Sequence, residues 1–290
     1  MTLVNSIILG LIQGLAEFLP ISSSGHLAIL KEILNVDAGI VYDVMLHLGT
    51  LLAIFVAFWK DITKLFVEGI MIIRDFFVNV FRFFGNLGKK KGEGSDYVKI
   101  VGTPYRKFVM LIIVSTIPTG ILGIVLKDIV ETAASSLVVV GICLIVTAVL
   151  LQISDRCNAG KKRPRQIKYS EAGIVGVVQG LATLPGISRS GSTITACLLC
   201  GFDRNFAIKY SFIMSIPAVL GAVVLELGEF VKMSITQTEL VNYGIGTAIA
   251  AVVGYICIKT MLVVVRGKKL KGFSFYCFIA GLFAIIYYFV

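Results

Sequence analysis

Glu17, Ser23 and His26 fall within one ten-residue span. A carboxylate, a hydroxyl and an imidazole that close can activate a serine, or leave the imidazole itself as nucleophile. The complementary charge, Arg189, lies far along the chain in a second copy of the same stretch. Gln13 to Leu27 reads QGLAEFLPISSSGHL and Gln179 to Thr193 reads QGLATLPGISRSGST, and the two align without a gap. Glu17 stands opposite Thr183, Ser23 opposite Arg189 and His26 opposite Ser192. One copy brings an acid and an imidazole, the other a guanidinium. Two related loops with complementary chemistry point to one site shared between two halves of the chain.

The chemistry they share is anion binding. Ile-Ser-x-Ser-Gly opening a helix offers hydroxyls and orphan amide donors at its positive end. Ser188, Ser190 and Thr193, with Gly186 and Gly191 leaving the backbone open, form one such cradle. Gln13, Ser22, Ser24 and Gly25 belong to the other. Arg189 adds a planar donor fork suited to phosphate oxygens. Glu17 is either a hard ligand for Mg²⁺ or Ca²⁺ or a general base. The catalytic candidates are therefore Glu17, Ser23, His26 and Arg189; whether Ser23, His26 or water attacks is left open. His47 reads as a hydrogen-bonded core residue. Asp43, one turn before it, reads equally well as support for the site or as part of the core. An Arg189–Glu17 ion pair that merely holds the bundle together is the bland alternative.

The elements that position these groups lie in a membrane. Of 290 residues, 57% are hydrophobic and only 15% charged, against roughly 25% charged in soluble domains. The formal charge of +10 sits in short loops beside apolar runs, so nucleic acid is not the expected partner; membrane lipids are. No cleavable signal is expected, because the first basic residue is Lys31. The lone Cys197-x-x-Cys200 predicts buried thiols rather than zinc.

A span needs about 20 apolar residues, and six stretches qualify: 40–59, 108–126, 135–153, 207–227, 241–264 and 273–290. The second repeated stretch is too short and is broken by Gly, Ser and Pro. Residues 3–21 of the first could span alone, but its partner Gly25 to Leu34 is too short and the repeat argues for the same form. Both stretches predict re-entrant helical hairpins, over 6–34 and 171–201. Residues 61–86 mix charges with apolar positions and predict an amphipathic interfacial helix. The run Lys89 to Asp96 is expected to be a solvated connector.

Basic residues concentrate in the loops after spans one, three and five, whereas the alternate loops hold little beyond Lys127 and Lys232. The positive-inside rule then places those three loops in the cytoplasm and both termini outside. The expected architecture is an all-α polytopic membrane protein, one integral membrane domain over 1–290. It is an inverted-topology repeat, 1–153 and 171–290, with six transmembrane helices and two re-entrant hairpins. Such repeats place a site near the midplane, where broken helices meet. Transporters and lipid flippases share that signature, so movement of an anion or lipid phosphate is the rival function.

At these residues the sequence resembles the bacterial undecaprenyl-diphosphate phosphatase family of the bacitracin-resistance type. Gln13-Gly14-Leu15-Ala16-Glu17 matches its first signature, with Gln13 where some relatives have a second carboxylate. Pro185-Gly186-Ile187-Ser188-Arg189-Ser190-Gly191-Ser192-Thr193 matches its second, and Ser22 to His26 fits as well. The resemblance implies removal of the terminal phosphate from a polyprenyl diphosphate, releasing the monophosphate carrier for cell-wall synthesis. It also implies a divalent cation, a bacterial plasma membrane location and a site opening outward. Nothing transfers to residues 60–107, and the oligomeric state is left open.

Overall fold

The computed structural model describes residues 1–36, 39–87, 94–157, 160–232, 236–267 and 269–290. Among them it is all-helical: twelve α-helices, one 3₁₀ turn and no strand. Much of the expected connector after the amphipathic segment, residues 89–93, lies outside the described residues.

Five helices are long and apolar enough to cross a bilayer: α5 (Pro104–Val125), α7 (Leu137–Arg156), α10 (Arg204–Lys232), α11 (Gln237–Arg266) and α12 (Lys271–Phe289). A sixth candidate is α3 (Gly39–Ala57) taken with α4 (Trp59–Asn86), the two meeting at a bend of 87°. All six predicted stretches therefore fall on long helices. Arg204 and Gln237 start their helices before the apolar runs begin, and Thr103 and Thr236 cap theirs through side-chain oxygens. One expectation is refined. Residues read as the loop after span two form a short helix, α6 (Lys127–Ala134), only eight residues long. Two turns are too few for periodicity to register.

The repeated stretches form helix pairs: α1 (Leu3–Phe18) with α2 (Ser23–Leu34), and α8 (Tyr169–Leu181) with α9 (Arg189–Leu199). At about 1.5 Å per residue none reaches ~30 Å, the thickness of the hydrocarbon core. Pro20 halts the first pair and Pro185-Gly186 the second. Gly186 holds φ +96°, and a Cβ there would stand 2.7 Å from the Cys143 Cβ. A left-handed residue with no side chain is what that turn requires.

Each pair leans on the far half of the chain. Helix α1 packs on α11, α8 packs on α5, and α7 packs on α12. Apolar contact gains little between helices in lipid, so close approach at small residues takes over. A Cβ on Gly141 would meet the Gly281 carbonyl at 2.6 Å, and the reverse distance is the same. Tyr42 of α3 and Tyr210 of α10 play the same structural part. Both are fully buried, and each hydroxyl donates to a carbonyl of a neighbouring helix, Ser6 at 2.8 Å and Leu111 at 3.0 Å.

Helix α4 turns one face to the protein, where Asp75 takes Arg74 and Arg106 at 2.7 Å and Glu68 takes Arg106 at 2.8 Å. The other carries exposed Phe66, Ile70, Ile73, Phe77, Phe81 and Phe84. That spacing is one apolar stripe on a helix. With the right-angle bend, it suits the interfacial position expected of residues 61–86.

Candidate active site

Glu17 closes the last turn of α1, and Ser23 and Arg189 open α2 and α9. Ser22 and Ser188, aligned residues of the repeat, cap those helices by accepting from Gly25 N at 3.3 Å and Gly191 N at 3.1 Å. The two helix starts touch: a Cβ on Gly25 would lie 2.9 Å from the Gly186 Cα. Two positive helix ends thus face one volume.

Glu17 is buried and heavily engaged. Its Oε1 pairs with Arg189 Nη2. Its Oε2 accepts from Ser23 Oγ at 2.6 Å and from Gln13 Nε2 at 3.1 Å, with His47 Nδ1 at 3.6 Å. The acid from one copy of the repeat and the base from the other are in contact. Beside them lies a cavity of about 300 Å³. Ser22, Ser23, Ser24, Ser188, Thr119, Gln179 and Thr183 give it a polar wall, whereas Val44 and Ala218, Val219, Ala222 and Val223 of α10 give it an apolar one.

Of the residues expected at the site, Glu17, Ser22, Ser23, Ser24, Ser188 and Arg189 border this cavity. Gln13 stands just behind, bonded to Glu17. The remainder build the frame. Gly25 and Gly186 are the points where the loops meet, and Gly191 packs against Leu151 and Pro20. Ser190 Oγ lies 3.4 Å from Ser188 Oγ, and Thr193 Oγ1 lies 2.6 Å from Ser211 Oγ.

His26 does not reach the cavity. Its Nδ1 lies 2.7 Å from the Ser22 carbonyl, and its Nε2 lies 2.8 Å from the Tyr276 hydroxyl. A carbonyl only accepts, so Nδ1 carries the proton and Nε2 accepts from Tyr276. Both ring nitrogens are thus engaged in this arrangement. Ser22 has φ +70°, rare for a residue with a Cβ, and the His26 bond holds the carbonyl of that strained residue. The second loop is held differently. Thr147 Oγ1 donates to the Gly186 carbonyl at 2.9 Å and accepts from Ser188 N at 2.9 Å.

Sequence reasoning missed His47, Thr119, Gln179, Thr183, Thr147 and Tyr276. The repeat offered a signal for two of them. Gln179 is the partner of Gln13 and Thr183 of Glu17, so both stand opposite residues already singled out by their chemistry. Thr119, Thr147 and Tyr276 reach the site only through packing of distant spans, and nothing in their own segments marks them.

A family model described as bacitracin resistance protein BacA matches residues 6–283. A protein of Methanosphaera stadtmanae named undecaprenyl-diphosphatase is 41% identical over 98% of this chain and 97% of its own length. One from Halothermothrix orenii with the same name is 41% identical over 99% and 98%. A third so named, from Alkaliphilus metalliredigens, is 38% identical over 99% of each. With motif, geometry and full-length similarity in agreement, this chain belongs to the bacitracin resistance protein BacA family.

Proposed function

We propose that this chain is an undecaprenyl-diphosphatase, an integral membrane enzyme that cleaves the terminal phosphate from a polyprenyl diphosphate. The carrier monophosphate and inorganic phosphate are its products. The observation that carries this reading is the cavity shared by Glu17, Ser23 and Arg189, polar on one wall and apolar on the other. A diphosphate headgroup with a prenyl tail has the same two characters. Transport of an uncleaved anion is not favoured, since the relatives that match over the full length are named for the cleavage.

Arg189 leaves Glu17 for the terminal phosphate as substrate enters, joined by the Ser24 and Ser188 hydroxyls and the amides opening α2 and α9. These donors stabilise charge developing on the transferred phosphoryl group. Released from Arg189, Glu17 takes the Ser23 proton along the 2.6 Å hydrogen bond. Ser23 Oγ bonds to phosphorus while the bridging P–O bond breaks, and the lipid monophosphate leaves with those electrons. Glu17 hands that proton to the departing carrier phosphate and then takes one from the water that attacks the phosphoseryl phosphorus. As the Ser23 Oγ–P bond breaks, Glu17 returns the proton to Ser23 and inorganic phosphate leaves. His26 supports the strained turn at Ser22.

The donor set also fits a divalent cation. Glu17 and the amide oxygen of Gln13, buried without a partner among the described residues, would hold Mg²⁺ or Ca²⁺ together with diphosphate oxygens, the habit of cations that share substrate ligands. Bound there, the cation would neutralise charge on the phosphates. The halves 1–153 and 171–290 are read as an inverted repeat, with both pairs re-entrant, the termini outside and the site opening outward from a bacterial plasma membrane. The exchange of partners, α1 on α11 and α8 on α5, supports the repeat.

The test is phosphate release by purified protein from a soluble short-chain prenyl diphosphate. Wild type should release phosphate and Arg189→Ala should lose about 100-fold or more, the scale of a lost transition-state donor. Near-normal turnover by Arg189→Ala would end this assignment.

A further inference from the structure

His47 of α3 borders two cavities, the one already described and a second of about 500 Å³. Ser24, His47 and Thr183 line both, so the ring stands at their junction. Its side chain is one-third exposed.

Its protonation pattern follows from its neighbours. Glu17, paired with Arg189, is ionised and can only accept. The Gln13 group facing it at 3.1 Å is therefore the amide nitrogen and not the amide oxygen. That same nitrogen lies 3.0 Å from His47 Nδ1. An amide nitrogen only donates, so Nδ1 accepts and the ring proton sits on Nε2. Nε2 has no hydrogen-bond partner among the described residues. The chain Glu17–Gln13–His47 thus converts a buried carboxylate into a fixed N–H donor at the mouth of the phosphate cavity.

We propose that His47 is a substrate-contacting residue whose Nε2–H donates to a terminal phosphate oxygen, with Gln13 fixing the tautomer. The inference rests on the phosphatase reading and adds to it a donor contributed by α3, outside the repeated stretches. A competing role exists for the same residue: His47 could serve only as the acceptor that steadies Gln13. Two substitutions separate them by shape. The amide nitrogen of a glutamine side chain reaches about as far as Nε2, whereas the amide oxygen of an asparagine side chain stands near Nδ1.

The experiment measures kcat, KM and inhibition by orthophosphate with a short-chain prenyl diphosphate for wild type, His47→Gln and His47→Asn. His47→Gln should stay within about threefold of wild type. His47→Asn should lose about 10- to 100-fold in kcat/KM, the scale of one hydrogen bond to a charged group, and bind orthophosphate correspondingly more weakly. An active His47→Asn with a crippled His47→Gln would overturn the contact in favour of Gln13 support. Equal loss in both, or wild-type behaviour in both, would overturn it as well. Arg189→Ala keeps the two readings apart. Its near-normal turnover removes the phosphate site itself, whereas an inactive Arg189→Ala beside contrary His47 variants removes only the His47 contact.

Discussion

The two loops of the repeat share a frame and divide the chemistry. In both, the first serine of Ser-x-Ser-Gly caps a short helix by accepting from the glycine amide three residues on. The residue after that cap is Ser23 in one copy and Arg189 in the other, and both project into the same cavity. The turns themselves differ. The first passes through a left-handed serine, Ser22, and the second through a left-handed glycine two residues before its cap, Gly186. The third span of the opposite half steadies the first loop, since Tyr276 of α12 holds His26. The third span of the other half, α7, likewise steadies the second loop, here directly through Thr147. The repeat supplies two helix starts of one frame, and single side chains make one acidic and the other basic. A carboxylate beside a phosphate is repulsive, so a hydrolase needs that asymmetry where two identical cradles would only bind.

The largest expected effect tests it at the aligned pair Glu17 and Thr183. Glu17→Gln should lower kcat about 1,000-fold, the range of a lost general base. Thr183→Val, at the equivalent position, should cost only about threefold, because Thr183 Oγ1 is spent on the Gly180 carbonyl at 2.7 Å. Steady-state phosphate release measures both, and comparable losses would mean the copies are not specialised. Next comes Arg189→Lys, which keeps the charge but removes the planar fork. It should lose about 30-fold in kcat/KM, since a point charge cannot satisfy two phosphate oxygens at once.

The asymmetry of the loop supports predicts smaller effects. His26→Phe and Tyr276→Phe should each lower kcat about 10-fold, and the double variant should be no worse than the single His26 change, as for residues acting through one contact. A His26 that attacked phosphorus would give complete loss at His26 and none at Tyr276. Thr147→Val leaves the buried Ser188 amide and Gly186 carbonyl without their partner. It should cost about 1–3 kcal/mol of stability, seen as a lower thermal midpoint in detergent, with Arg189 chemistry impaired only in proportion to misplaced loop.

Much of this was legible in the chain because its signals are local. Hydropathy marked the long helices, and a fifteen-residue self-alignment marked both broken pairs and the charges that now touch. The eight-residue α6 was not legible, since two turns carry no period. His26 was legible as a candidate but its partner was not: nothing near it in sequence announces Tyr276, 250 residues away. His47 sits in an apolar span and looks like any core histidine until Gln13, 34 residues earlier, is seen to meet it. Chemistry was written into the repeat, and its supports were scattered over spans whose packing only three dimensions reveal.

The central claim is that one phosphoryl group is held by both loops at once. An experimental structure of the purified protein soaked with orthovanadate, a mimic of phosphorus in transfer, tests it most directly. The vanadium should lie within bonding reach of Ser23 Oγ, with an oxygen held by Arg189 and the Ser188 side of the cavity. Vanadate seated on only one of the two loops, with the Glu17–Arg189 pair intact, would contradict the account.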